Sequence, residues 1–146
     1  MVKARTTSTE HSENLLREAA IRLFGRHDYD SVSVKQIAEL AGVNVGLISY
    51  YFGSKLGLYR ECIENFGKNR LATVERILTP PSSRQEMVVR LKMFIAEMIE
   101  TQMEQPDISA IIHRECEMMN PAIKDIFTAT FLQVFKTLAA FLKASK

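Results

Sequence analysis

A chain of 146 residues, 47% hydrophobic and 25% charged with a formal net charge of +2, has the apolar content for a packed core. Its low net charge also excludes disorder as the dominant state. The longest unbroken apolar run, residues 138–142, is far short of the roughly 20 residues a membrane span needs, so no membrane partner is expected. The basic, polar first residues lack the apolar stretch of a secretory signal.

Leu15, Leu16, Ala19, Ala20, Leu23 and Phe24 recur at three- and four-residue spacing, which predicts an amphipathic helix over about residues 10–26. His27, Asp28, Tyr29 and Asp30 read as a turn. Ser33 is an N-cap for a short helix over 34–41 with Val34, Ile37, Ala38 and Ala41 inside, and Gly42 supplies the left-handed residue that closes it. Asn44 caps a helix over about 45–52. Ser54 caps a longer one reaching about residue 78. Pro80 and Pro81 break the chain. A helix over about 83–105 follows, then one capped by Asp107 and reaching 119. The last helix starts at Asn120 and Pro121, and aligns Ile123, Phe127, Phe131, Val134, Leu138, Phe141 and Leu142 on one face. No segment alternates with period two, so the fold class is all-α, with about seven helices.

Little in the chain suggests catalysis. Cys62 and Cys116 are the only cysteines and form no CxxC pair, so neither a disulfide framework nor a zinc motif is present. A reducing, cytoplasmic compartment fits. His113, Cys116 and Glu117 share a helical face, but the sequence offers no partner cluster; an enzyme, a metal site and a cofactor are not expected. Arg114 with Glu115 or Glu117 reads as an ion pair or a solvated face. Six of the seven methionines fall between residues 87 and 119. Phe94, Met98, Met103, Ile111, His113 and Met118 are therefore candidates for an adaptable ligand pocket, against the commoner role of such residues in core packing.

The functional signal lies in residues 33–52. Two short helices joined by a glycine-containing turn, behind a supporting helix, describe a helix-turn-helix. Ala38 must be small where the helices cross, Gly42 relieves the turn, and Ile48 packs the second helix on the first, with Ile37 and Val43 completing the core. Spacing alone also suits a helical hairpin with no role at DNA. Residues 1–60 carry eight Lys/Arg and six Asp/Glu, against eleven of each in the remainder. That surplus permits a polyanionic partner without arguing for one.

What surrounds the motif narrows the choice. Phe24, Ser33, Ile37, Ala38, Ala41, Gly42, Val43, Gly46, Ile48, Tyr51, Phe52, Ser54, Lys55 and Leu58 stand where the TetR (tetracycline repressor) family of bacterial transcriptional regulators has its N-terminal pattern, and over about residues 10–66 the chain resembles that family. It departs at Ser49, where the family usually has Tyr; at Tyr51, often His; and at Leu56, commonly acidic. The stretch from Ser49 to Lys55, with His113-Arg114-Glu115 and Asn120-Pro121 downstream, is similar to the CecR-type subgroup.

The resemblance implies a helix-turn-helix DNA-binding domain over residues 1–56 and a helical ligand-binding and dimerisation domain over 57–146. It implies a repressor released from a palindromic operator by a small-molecule effector. Typical members continue for about two more helices, so against the family the chain looks short or truncated. A helical small-molecule-binding or interaction protein with a vestigial helix-turn-helix is the alternative.

The motif's chemistry assigns the contacts. Val45 and Gly46, at the start of the second helix, would enter the major groove of double-stranded DNA, with Ser49 one turn on. Tyr50 and Tyr51 offer hydroxyls to phosphates. Ser54 and Lys55 at one helix start, and Ser33 and Lys35 at another, suit phosphate oxygens. Asn44 reads as a cap rather than a base reader, and Phe52 as core. With so few cations one module binds weakly, so a homodimer on a two-fold site is the natural solution.

Overall fold

The computed structural model describes residues 2–144. Every regular element among the described residues is helical. In order they are α1 (Val2–Arg26), a 3-10 turn (Tyr29–Ser31), α2 (Val34–Ala41), α3 (Gly46–Phe52), α4 (Lys55–Ile77), α5 (Arg84–Glu104) and α6 (Pro106–Met118). A second 3-10 turn (Pro121–Ile123), α7 (Lys124–Ala129) and α8 (Phe131–Ala144) complete the chain. Helix α1 starts well before the expected residue 10.

The chain forms two compact units. The first comprises Met1–Ile63 with Asp107–Arg114, and the second Glu64–Pro106 with Glu115–Lys146. Helices α4 and α6 each contribute to both. The boundary expected after residue 56 therefore lies inside the first unit, because α4 runs through it without a break.

The first unit buries Leu16, Ala20 and Phe24 of α1, Ile37 and Ala38 of α2, Ile48 of α3, and Leu58, Tyr59, Cys62 and Ile63 of α4. Burying a large apolar side chain contributes about 1.5–3 kcal/mol. Arg17 fastens α1 to its neighbours: it forms ion pairs with Glu13 (3.2 Å) and with Glu61 of α4 (2.5 Å). Its guanidinium also lies 5.7 Å from the ring centroid of Phe52. Phe52, expected in the core, is only half-buried.

Helix α6 joins the first unit at the end of α1. Asp107 does not cap α6 as its position suggested; Pro106 takes the first helical position and Gln105 is the cap residue. The Asp107 carboxylate instead forms a fork with Arg26, at 3.1 and 3.3 Å. Two turns on, Arg114 donates to the carbonyls of Phe24 and His27 and faces Asp28 at 3.6 Å. The pairing expected with Glu115 or Glu117 is replaced by this cap, because the last carbonyls of α1 need donors.

The core of the second unit is Val74, Leu78, Phe94 and Phe141, flanked by Ile77, Met87, Leu91, Val134 and Leu138. Ser83 caps α5 by accepting from the Glu86 N–H at 3.1 Å. The single last helix expected from Pro121 is broken into three pieces. Buried Thr130 leaves helical geometry (φ −121°, ψ −73°), and its hydroxyl donates to the Ile126 carbonyl at 2.6 Å. Gly67 of α4 packs there so closely that a Cβ would lie 2.6 Å from Thr130 Oγ1.

The break bears on the membrane question. Residues Pro121–Ala144 reach a mean hydropathy of 1.3, yet the longest continuous helix in them, α8, has 14 residues and spans about 21 Å, against about 30 Å of hydrocarbon. Apolar side chains stay uncovered on α5 (Val89, Met93, Ile95, Ile99) and on α8 (Phe135, Leu142).

Candidate nucleic-acid interface

Ser33 opens α2 with a reciprocal cap: its Oγ accepts from the Gln36 N–H (3.1 Å), and its own N–H donates to Gln36 Oε1 (2.8 Å). At the far end the Val43 N–H reaches the Ala38 carbonyl (3.1 Å) and the Gly42 N–H the Glu39 carbonyl (3.2 Å). This Schellman closure needs the left-handed Gly42, at φ 71°. The turn then runs through residues 42–45. Asn44 Oδ1 accepts from the Gly46 N–H at 2.8 Å, so its side chain serves the first turn of α3 although Val45, not Asn44, is the cap residue.

Within α3 only Ile48 is fully buried, and it holds the helix down. By helical periodicity Gly46 and Tyr50 lie opposite Ile48 with Ser49 beside them, while Val45, three residues before Ile48, sits at the exposed start of the helix. Val45 is 44% exposed and Tyr50 79% exposed, and Gly46 and Ser49 are exposed between them. Tyr51 lies off this face and is half-buried, its ring edge-on to Tyr50 (5.0 Å) and Phe52 (6.2 Å). The outward surface is therefore small, apolar at Val45 and hydroxyl-bearing at Ser49 and Tyr50.

Cations flank it. Lys35 on α2 is exposed and sits 4.0 Å from Glu39. Ser54 Oγ accepts from the Gly57 N–H at 3.0 Å. The N–H groups of Lys55 and Leu56 precede the first intrahelical bond and have no acceptor within α4. Lys55 is not a free surface lysine: its ammonium rests 4.1 Å from the centroid of the Tyr29 ring. Tyr29 escaped the sequence reading, since a turn tyrosine carries no signal of which side chain will cover it.

The ligand candidates differ in burial. Phe94 is core, Ile111 is fully buried, and Met98, Met103, His113 and Met118 are exposed. Packing thus absorbs Phe94 and Ile111, and the three methionines and His113 face solvent. The second unit instead carries a polar groove of about 180 Å³ between α4 and α5, lined by residues that include Phe66, Asn69, Thr73 and Glu100. Arg70 crosses it to Glu97 (2.8 Å) and Thr101 (2.6 Å).

A supported helix pair with a glycine-closed turn and an exposed second helix is the helix-turn-helix of DNA-binding proteins. The profile of bacterial regulatory proteins of the tetR family matches residues 16–62, which takes in α2, α3 and their supports. Over these residues the chain is similar to that family. It is 28% identical over 118 residues to the probable HTH-type transcriptional regulator YttP of Bacillus subtilis, covering 80% of this chain and 56% of that protein. It is 29% identical over 124 residues to the HTH-type transcriptional dual regulator CecR of Shigella flexneri, covering 77% and 54%. Forty-seven residues are 51% identical to the regulatory protein RaaS of Mycobacterium tuberculosis, 32% of this chain and 22% of that one. The chain thus spans about half the length of YttP and CecR. Among solved structures, HlyIIR, a hemolysin II transcriptional regulator, superposes with a TM-score of 0.75 at 25% identity, over 93% of this chain and 73% of that one.

Proposed function

We propose that the chain is a DNA-binding transcriptional regulator that works in the cytoplasm as a homodimer on a palindromic operator. It acts as a repressor, and a small-molecule effector releases it. The observation that carries this reading is the exposed face of α3, Val45, Gly46, Ser49 and Tyr50, held outward by buried Ile48. A face this small and nearly uncharged reads base edges only when phosphate contacts fix its register. Ser33 and Lys35 at the start of α2, and Ser54 and Lys55 at the start of α4, serve as those contacts, with the Tyr50 and Tyr51 hydroxyls beside them. YttP, CecR and HlyIIR, each named a transcriptional regulator, support the same assignment.

Few cations per module make a dimer the economical arrangement, since two half-sites double the phosphate contacts. The test is binding of the purified chain to duplexes drawn from its own upstream DNA at several salt concentrations. Sequence-selective binding that weakens with salt, and falls at least tenfold on Tyr50→Ala, is expected. Binding that ignores sequence and is unchanged in both Tyr50→Ala and Lys55→Ala would overturn the reading.

A further inference from the structure

We propose that Tyr29 is a positioning residue for DNA binding, its ring holding the Lys55 ammonium where a phosphate is met. The inference rests on the reading of Lys55 as a phosphate contact. A lysine is a point charge on a flexible four-carbon stem, so its contribution to a defined contact depends on what restrains it. Here the Lys55 Nζ lies 4.1 Å from the Tyr29 centroid, well within the roughly 6 Å over which a cation is drawn to an aromatic face.

The platform is itself fixed. Tyr29 stacks on Phe24 (centroids 5.6 Å, 15° between planes) and leans on Tyr59 (4.9 Å, 60°), and those two rings meet edge-on at 4.9 Å. Phe24 and Tyr59 are buried, so α1 and α4 jointly set the height and tilt of the Tyr29 ring. A ring face occupies one side of an ammonium and leaves N–H donors for a phosphate oxygen. The ring therefore localises the cation without neutralising it, unlike a carboxylate, which would compete with the phosphate.

Two measurements test this. In the folded, DNA-free wild type, the Lys55 Cε protons should resonate upfield of their random-coil position through the ring current. Tyr29→Phe should keep that shift and Tyr29→Leu abolish it. In binding to the upstream duplex, Tyr29→Leu should weaken affinity by about fivefold with the salt slope retained, whereas Lys55→Ala should lower the slope by about one. In the Lys55→Ala background Tyr29→Leu should cost nothing further, because the pair acts as one unit. Tyr29→Phe should bind as wild type.

An equal cost of Tyr29→Leu in both backgrounds overturns the proposal while leaving Lys55 at the phosphate. A wild type that binds duplex without any change on Lys55→Ala sinks the phosphate reading, and the positioning role with it. Unshifted Lys55 protons in the wild type overturn the proposal even if Tyr29→Leu fails to fold.

Discussion

The hydroxyl and the N–H of Ser33 both serve the first turn of α2, one accepting from and one donating to Gln36. Ser33→Ala removes the side-chain half of that box, and about 1 kcal/mol of stability should go with it. Urea unfolding should show a lower midpoint with an unchanged slope, and Ser33→Asp should restore most of the loss. Caps of this kind are legible because the whole interaction lies within four residues; Ser33 and Ser54 cap the helices they were expected to cap. Asp107 was misread for a complementary reason. Its partner, Arg26, is 81 residues away in sequence, and no local pattern announces it. Tyr29 and Arg114 belong to the same class: side chains whose meaning depends on an element brought up by the fold.

Helices carry their own consequences. The end of α1 meets α6 at Gly25, where a Cβ would lie 2.6 Å from the Asp107 carbonyl oxygen and 2.8 Å from its Cα. Backbone cannot swing aside as a side chain does, so Gly25→Ala should push the two helices apart. A loss of about 1–3 kcal/mol is expected by chemical denaturation. At the start of α5, Glu86 accepts from the Ser82 hydroxyl and N–H and from Arg90, which lowers its pKa from 4.5 to about 2. A depressed carboxylate pKa stabilises the fold above the unfolded-state value and ceases to do so as pH falls through the folded one. The contribution of Glu86 should therefore fade between about pH 4.5 and pH 2. In that window Glu86→Gln should flatten the pH dependence of the melting temperature relative to wild type. Helix positions were largely readable from apolar spacing, and α2 falls on the expected residues. The break at Thr130 was not, and the residue packed closely against it, Gly67, stands 63 positions earlier.

At the scale of the whole chain, each unit has a core of its own. In the second, Phe94→Ala opens a space beside Val74, Leu78 and Phe141. About 3–5 kcal/mol should be lost, which calorimetry would register as a lower, smaller transition. The all-α class followed directly from periodicity, and so did the helix-turn-helix, whose signals are compact. The assembly of the first unit did not, since Asp107–Arg114 returns to it after more than forty intervening residues. That return has a temporal side. A ribosome delivers residues in order at about 5–20 per second, so Arg114 emerges several seconds after Ile63. During that interval a nascent chain displays the complete helix-turn-helix sequence while the carbonyls at the end of α1 still await their guanidinium. The helix-turn-helix unit is spelled out early in synthesis and finished late.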